Sequence, residues 1–136
     1  MTLNTFPSRM YFNFKLYQHC KEISSLYKKN TFHECLELIS SHKHLKTINI
    51  SEEVSATYLS KRVRLINRFL GANNCLANSM CLYLAIKNRE NLSFVVGVSE
   101  DFLENSFSHC WIEINNIAIN ENRSILNYKP IITINI

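Results

Sequence analysis

The chain has 136 residues, 46% of them hydrophobic and 19% charged, with a formal net charge of +4. That length fits one domain burying roughly two-thirds of its unfolded surface, so a core forms without disulfide staples. Five cysteines with no CxxC pair, and an opening "MTLNTFPSRMYF" without a signal-peptide pattern, point to free thiols in a reducing cytoplasm.

The front of the chain reads as helices over about 13–28, 31–42 and 52–70. Thr31 and Glu34 have the spacing of a capping box, in which each side chain satisfies the other's free amide. Ser51 is the expected cap of the third helix, with Glu52 and Glu53 set against its dipole. Val54, Tyr58, Leu59, Arg62, Leu65, Ile66 and Phe69 give that helix a stripe at helical spacing, with Lys61, Arg64 and Arg68 mostly off it. Residues 1–68 hold eleven Lys/Arg against five Asp/Glu, and residues 69–136 hold four against six. A basic half can recognise an acidic peptide or nucleic acid; solvated helix faces are the preferred reading, and no stacked-aromatic or glycine-loop signature favours nucleic acid.

A fourth helix, from Cys75 to about Lys87, is apolar on most sides and reads as a central helix packed on a sheet. Asn73, Asn74 and Asn78 interrupt the uncharged stretch 69–86, which excludes it as a membrane span. Beyond residue 90 the period becomes two. "SFVVGV" is a buried strand, "SHCWIEI" and "IAIN" pair around a turn at Asn115-Asn116, and "PIITINI" closes the sheet. Ile132, Ile134 and Ile136 share one face of that last strand. The order is α+β in a single domain over 1–136, with the helical part ending near residue 70 and the helix-plus-sheet part following it.

Capping by Asn73 or Asn74 puts Cys75 in the first turn of the central helix. Amides and dipole there favour a thiolate and can stabilise an oxyanion. His109 opens a strand, with Trp111 and Glu113 on the same face, and an imidazole there can move the proton that thiol chemistry needs. The returning strand offers Asn120 and Glu121 to hold the ring. In a regular two-residue hairpin Ile114 opposes Ile117, Ile112 opposes Ile119, and Asn120 falls on the His109 face while Glu121 turns away. Cys81 reads as core filler, and Cys110 points to the strand face opposite His109. His19, Cys20, His33, Cys35, His42 and His44 match no closed zinc pattern, so neither a metal nor a cofactor is expected. The segment "SEDFLENS" is a candidate rim of the cleft.

From Cys75 to Glu121 the sequence resembles the transglutaminase-like proteases that mature lasso peptides, which are related to the C-terminal domain of the microcin-processing protein. "CLANSMCLYLAIKNRENLSFVVGV" is similar to their nucleophile helix, turn and buried strand, and "SHCWIEINNIAINE" to their histidine strand and closing acid. The resemblance implies a papain/transglutaminase-like fold with Cys75 as nucleophile, His109 as general base and Glu121 as orienting acid, where the family typically has Asp. It also implies removal of a leader peptide from a lasso-peptide precursor, before a separate ATP-dependent cyclase acts. A leader-recognition protein should act in trans, because the N-terminus is too short to contain one. The alternatives are a catalytically silent precursor-binding module of the same fold and a transglutaminase-like acyl transferase.

Overall fold

A computed structural model describes residues 6–41, 55–86, 91–99, 108–119 and 128–135. Helix α1 (Phe6–Lys29) buries Phe12, Leu16, His19, Cys20 and Ile23, positions three or four apart that form one stripe. It begins well before residue 13, since nothing between Pro7 and Phe12 breaks a helix and proline is tolerated in a first turn. Helix α2 (Phe32–Ser41) starts at the expected capping box. The Thr31 N–H donates to Glu34 Oε1 (3.1 Å) and the Glu34 N–H to Thr31 Oγ1 (3.3 Å). The backbone bond from Thr31, then its side chain, holds the Glu34 carboxyl below its ordinary range.

Helix α3 (Ala56–Phe69) starts later than residue 52 and is capped by Ser55, whose side chain accepts from the Tyr58 N–H. Ser51, Glu52, Glu53 and Val54 lie outside the described residues. The expected stripe is also displaced. Leu59, Ser60, Val63 and Asn67 face the core, whereas Tyr58, Leu65 and Phe69 are exposed, Phe69 at 82%. Asn67 can take a core position because its amide finds partners there: Ser24 Oγ donates to its Oδ1, and its Nδ2 donates to Asn78 Oδ1. The helix ends in a Schellman turn. Gly71, at φ 70°, donates to the Arg68 carbonyl, and Ala72 donates to that of Asn67.

The residues after this turn lead directly into α4 (Cys75–Ala85), in which every residue from Ser79 to Ala85 is buried. Four strands follow: β1 (Leu92–Ser99), β2 (Ser108–Ile114), β3 (Ile117–Ala118) and β4 (Tyr128–Asn135). They form one antiparallel sheet in the order β3-β2-β1-β4, so the described residues make an α+β fold. Helix α4 packs between this sheet and helices α1 and α3.

The β2–β3 turn matches expectation. Asn115 and Asn116 have φ of 54° and 65°, Ile114 pairs with Ile117, and the Ile119 N–H donates to the Ile112 carbonyl. The isoleucine face is only partly covered, however: Ile112 is buried and Ile114 and Ile119 pack against the main core, while Ile117 is 67% exposed. Strand β4 begins at Tyr128, before the expected Pro130, and Ile136 lies outside the described residues.

The two faces of the sheet have different contents. Phe94, Val96, Cys110 and Ile112 belong to the main core, while Val95, Trp111 and Tyr128 form a separate cluster on the other face. Gly97 makes that second cluster possible. A Cβ at Gly97 would sit 2.7 Å from the Trp111 ring and 3.1 Å from Tyr128 Cβ. Among the described residues, no helix is long and apolar enough to cross a membrane. Gly97→Ala should lower the unfolding free energy by about 1–3 kcal/mol through overpacking. Urea denaturation followed by circular dichroism measures this, and an unchanged midpoint would mean that the Trp111 ring swings aside at no cost.

Candidate active site

Asn74 fixes the start of α4. Its backbone is extended, and its Oδ1 accepts from the Ala77 N–H at 2.9 Å. The Asn78 N–H bonds the Asn74 carbonyl at 3.0 Å, so helical geometry begins at Cys75. The expected cap is thus Asn74, and Asn73 instead accepts from Asn78 Nδ2. One turn into the helix, Ser79 Oγ donates to the Cys110 carbonyl at 3.2 Å, which ties α4 to the start of β2. That bond sets the distance between the helix end and the strand carrying His109.

The structure brings Cys75 and His109 together. Cys75 is half-buried and its thiol pKa is pushed down to about 4. A hydrogen bond from the Cys110 thiol is the largest cause; the His109 side chain, the Cys110 backbone N–H and the His109 charge add to it against the cost of burial. The Cys110 thiol is correspondingly pushed up by the same bond and by its burial. The negative charge therefore sits on Cys75, the more accessible sulfur of the two and the one at a helix N-terminus.

The role of Cys110 is one that sequence reasoning missed. Strand alternation does place it on the face opposite His109, in the main core. The helix end lies over that core face, so Cys110 meets the Cys75 sulfur, while His109, near the start of β2, also reaches it. A cysteine directly after the histidine, on a strand packed under α4, was the available signal.

His109 is buried and enclosed by aromatic rings. Trp111 stacks on it with centroids 5.9 Å apart at 24°, and Tyr128 lies 5.4 Å away at 41°. Trp111 is itself anchored by its Nε1–H, which donates to Glu113 Oε1 at 2.9 Å. Tyr128 was not singled out in the sequence, since nothing there shows that β4 returns beside β1. Glu121 and Asn120, the two candidates for orienting His109, lie outside the described residues. Glu100, Asp101 and Glu104 of the candidate rim, and His42 and His44, lie outside them too.

Cys75 and His109 open onto a cleft of about 390 Å³. Arg64 and Arg68 of α3 line it, together with Asn73, Asn74 and Asn78. The remaining cysteines and histidines in the described residues have structural surroundings. His19 donates through Nε2 to the Cys81 carbonyl at 2.9 Å, and burial lowers its pKa, so the ring is neutral. The Cys20 thiol is pushed up by its bond to Cys81 and by burial. Cys35 is buried, and exposed His33 lies 3.2 Å from Glu37. Among the described residues no three His, Cys, Asp or Glu side chains are grouped so as to hold a metal ion.

No known protein family, curated protein or solved structure matches the chain.

The thiolate is the reactive form, so a pKa near 4 sets the pH dependence of alkylation. Labelling of Cys75 by iodoacetamide should stay level from neutral pH down to about 5. An ordinary thiol, with a pKa of about 8.5, loses about tenfold per pH unit over that range. Cys110→Ala removes the largest stabilising bond and should shift the Cys75 profile to higher pH. Peptide mapping across a pH series reads both effects; a profile for Cys75 like that of glutathione would contradict the site's electrostatics.

Proposed function

We propose that this protein is a cytoplasmic cysteine peptidase of papain/transglutaminase-like fold that removes the leader from a lasso-peptide precursor. The observation that carries the reading is the convergence of a helix-terminal thiolate, Cys75, and a buried imidazole, His109, at one open cleft. The resemblance between Cys75 and Glu121 supplies the substrate class. A lone buried cysteine in a core helix would have no use for a depressed pKa, and desolvation alone would have raised it.

In this mechanism the Cys75 thiolate attacks the scissile carbonyl of the precursor. The oxyanion that forms lies near the first-turn amides of α4; the Ala77 N–H is already taken by Asn74, which leaves those of Cys75 and Leu76 for the task. His109 gives a proton to the departing amine, and the C–N bond breaks to leave a thioester on Cys75. His109 then takes a proton from water, whose oxygen attacks the thioester, and the thiolate returns as the leader carboxylate departs. Glu121 holds the imidazole in orientation. A separate leader-recognition protein presents the precursor, and a cyclase acts on the product.

The test is cleavage of a lasso precursor in the presence of its leader-binding protein, with products followed by mass. Cys75→Ala should abolish cleavage while leaving the circular dichroism spectrum intact; cleavage by that variant would overturn the proposal. Precursor binding without any turnover by the native chain would identify the silent binding module instead. Incorporation of a competing amine in preference to water would identify an acyl transferase.

The orienting residue has its own comparison. Glu121→Gln removes the charge that stabilises an imidazolium and should lower the cleavage rate roughly tenfold to a thousandfold, the scale of a few kcal/mol. Asn120→Ala should be nearly harmless. The reverse pattern would assign the role to Asn120, and normal cleavage by both would leave a Cys–His dyad.

A further inference from the structure

We propose that Cys75 and Cys110 are a peroxide-sensing pair: a hydroperoxide oxidises Cys75, and Cys110 then closes a reversible disulfide with it. The chemistry stands on the two sulfurs alone; only its consequence, an arrested peptidase, rests on the function proposed above. Cys75 is the first residue of α4, and Cys110 follows Ser108 and His109 at the start of β2. Cys110 belongs to the main core and half-buried Cys75 packs against that core. Ser79, one turn along α4, holds the two elements together through its bond to the Cys110 carbonyl. The thiols meet in a hydrogen bond, with Cys110 donating to Cys75.

A second pair of thiols in the same chain supplies the comparison. Cys20 and Cys81 are also hydrogen-bonded to each other, yet both are 0% exposed, and the Cys20 thiol is held protonated by that bond and by burial. An oxidant reaches neither sulfur there. Cys35 is enclosed to the same degree on α2. In the pair at the cleft the accessible sulfur is the charged one, and the buried sulfur keeps its proton. Those are the requirements of a sensor: an accessible thiolate to react, and a protected thiol in contact with it to resolve the product. Packing alone asks for neither.

The Cys75 thiolate attacks one oxygen of the hydroperoxide. An S–O bond forms as the O–O bond breaks, the sulfur loses two electrons, and the departing oxygen takes a proton from solvent to leave as water or an alcohol. Cys75 is then a sulfenic acid. The Cys110 sulfur attacks it, the S–O bond breaks, and the hydroxide that leaves carries the Cys110 proton away as water. Without Cys110 the sulfenic acid stays open to a second hydroperoxide, which takes it to an irreversible sulfinic acid. A dithiol reductant reopens the disulfide by exchange. While it is closed, the cleft has lost its nucleophile and that nucleophile's main hydrogen-bond donor together. Disulfides in reducing compartments are typically of this transient, sensing kind.

The experiment treats the reduced, desalted full chain with a few equivalents of hydrogen peroxide and maps it by mass without reduction. The expected product has lost two hydrogens and links the Cys110 peptide to the Cys75 peptide. Fragment ions distinguish Cys75 from Cys81, which shares its tryptic peptide. Cys20, Cys35 and Cys81 should stay reduced. Iodoacetamide labelling of Cys75 should fall by roughly tenfold or more, and dithiothreitol should restore it. Cys110→Ala should instead leave a Cys75 sulfenic acid that dimedone traps, and prolonged peroxide should take it to a sulfinic acid that dithiothreitol does not reverse. Mapping the native chain decides the pairing even where that variant folds poorly. Cys75 passing to sulfinic acid while Cys110 remains a thiol overturns the proposal, as does a first disulfide between Cys20 and Cys81, or a Cys75 left untouched at peroxide that oxidises glutathione. A reversible Cys75–Cys110 disulfide in a protein that cleaves no precursor would keep the pair and sink the peptidase reading alone.

Discussion

The start of a helix that is buried along most of its length fixes where its first-turn groups stand, and this constraint governs α4. From Ser79 to Ala85 every residue is buried between the sheet and helices α1 and α3. At its start, where the first turn opens onto the cleft, the chain supplies some of the polar partners itself. Asn74 supplies one with its Oδ1, and the amide network Ser24–Asn67–Asn78–Asn73 runs from the core out to the same end. The position of Cys75, the tilt of the helix against β2 and the walls of the cleft all follow from how that end is satisfied.

The consequence for chemistry is a division of labour across a single strand. Cys110, facing the core from β2, gives its thiol proton to the bond with Cys75, and its backbone amide adds a second donor. His109, its neighbour, is held on the other face by Trp111 and Tyr128. One strand thus delivers both the groups that keep the sulfur charged and the imidazole that can move protons, and Ser79 fixes that strand against the helix. Gly97 is what lets the aromatic side of this arrangement lie flat on β1.

Local rules were enough for much of this. The capping box at Thr31 and Glu34, the cap before Cys75, the Asn115-Asn116 turn and its register all depend on residues within a few positions of one another, so the sequence displays them directly. The grouping of His109, Trp111 and Glu113 follows from strand alternation in the same way. What escaped was set by distant contacts. The core side of α3 turned to Asn67 because Ser24 and Asn78, on two other helices, wait for its amide. Apolar spacing gave no hint of that, and it misjudged Tyr58, Leu65 and Phe69 as a result. The meeting of Cys75 with Cys110, and of His109 with Tyr128, likewise depends on which elements neighbour one another and not on any spacing within them.

Trp111 is the single tryptophan of the chain, and its ring is stacked on His109. A protonated imidazole in contact with an indole quenches its emission, whereas a neutral one does so weakly. The emission of the unlabelled protein is therefore sensitive to what happens at the His109 ring. The protein carries its own optical probe against one of the two side chains that meet at the cleft, and a stopped-flow trace could follow events there without any dye.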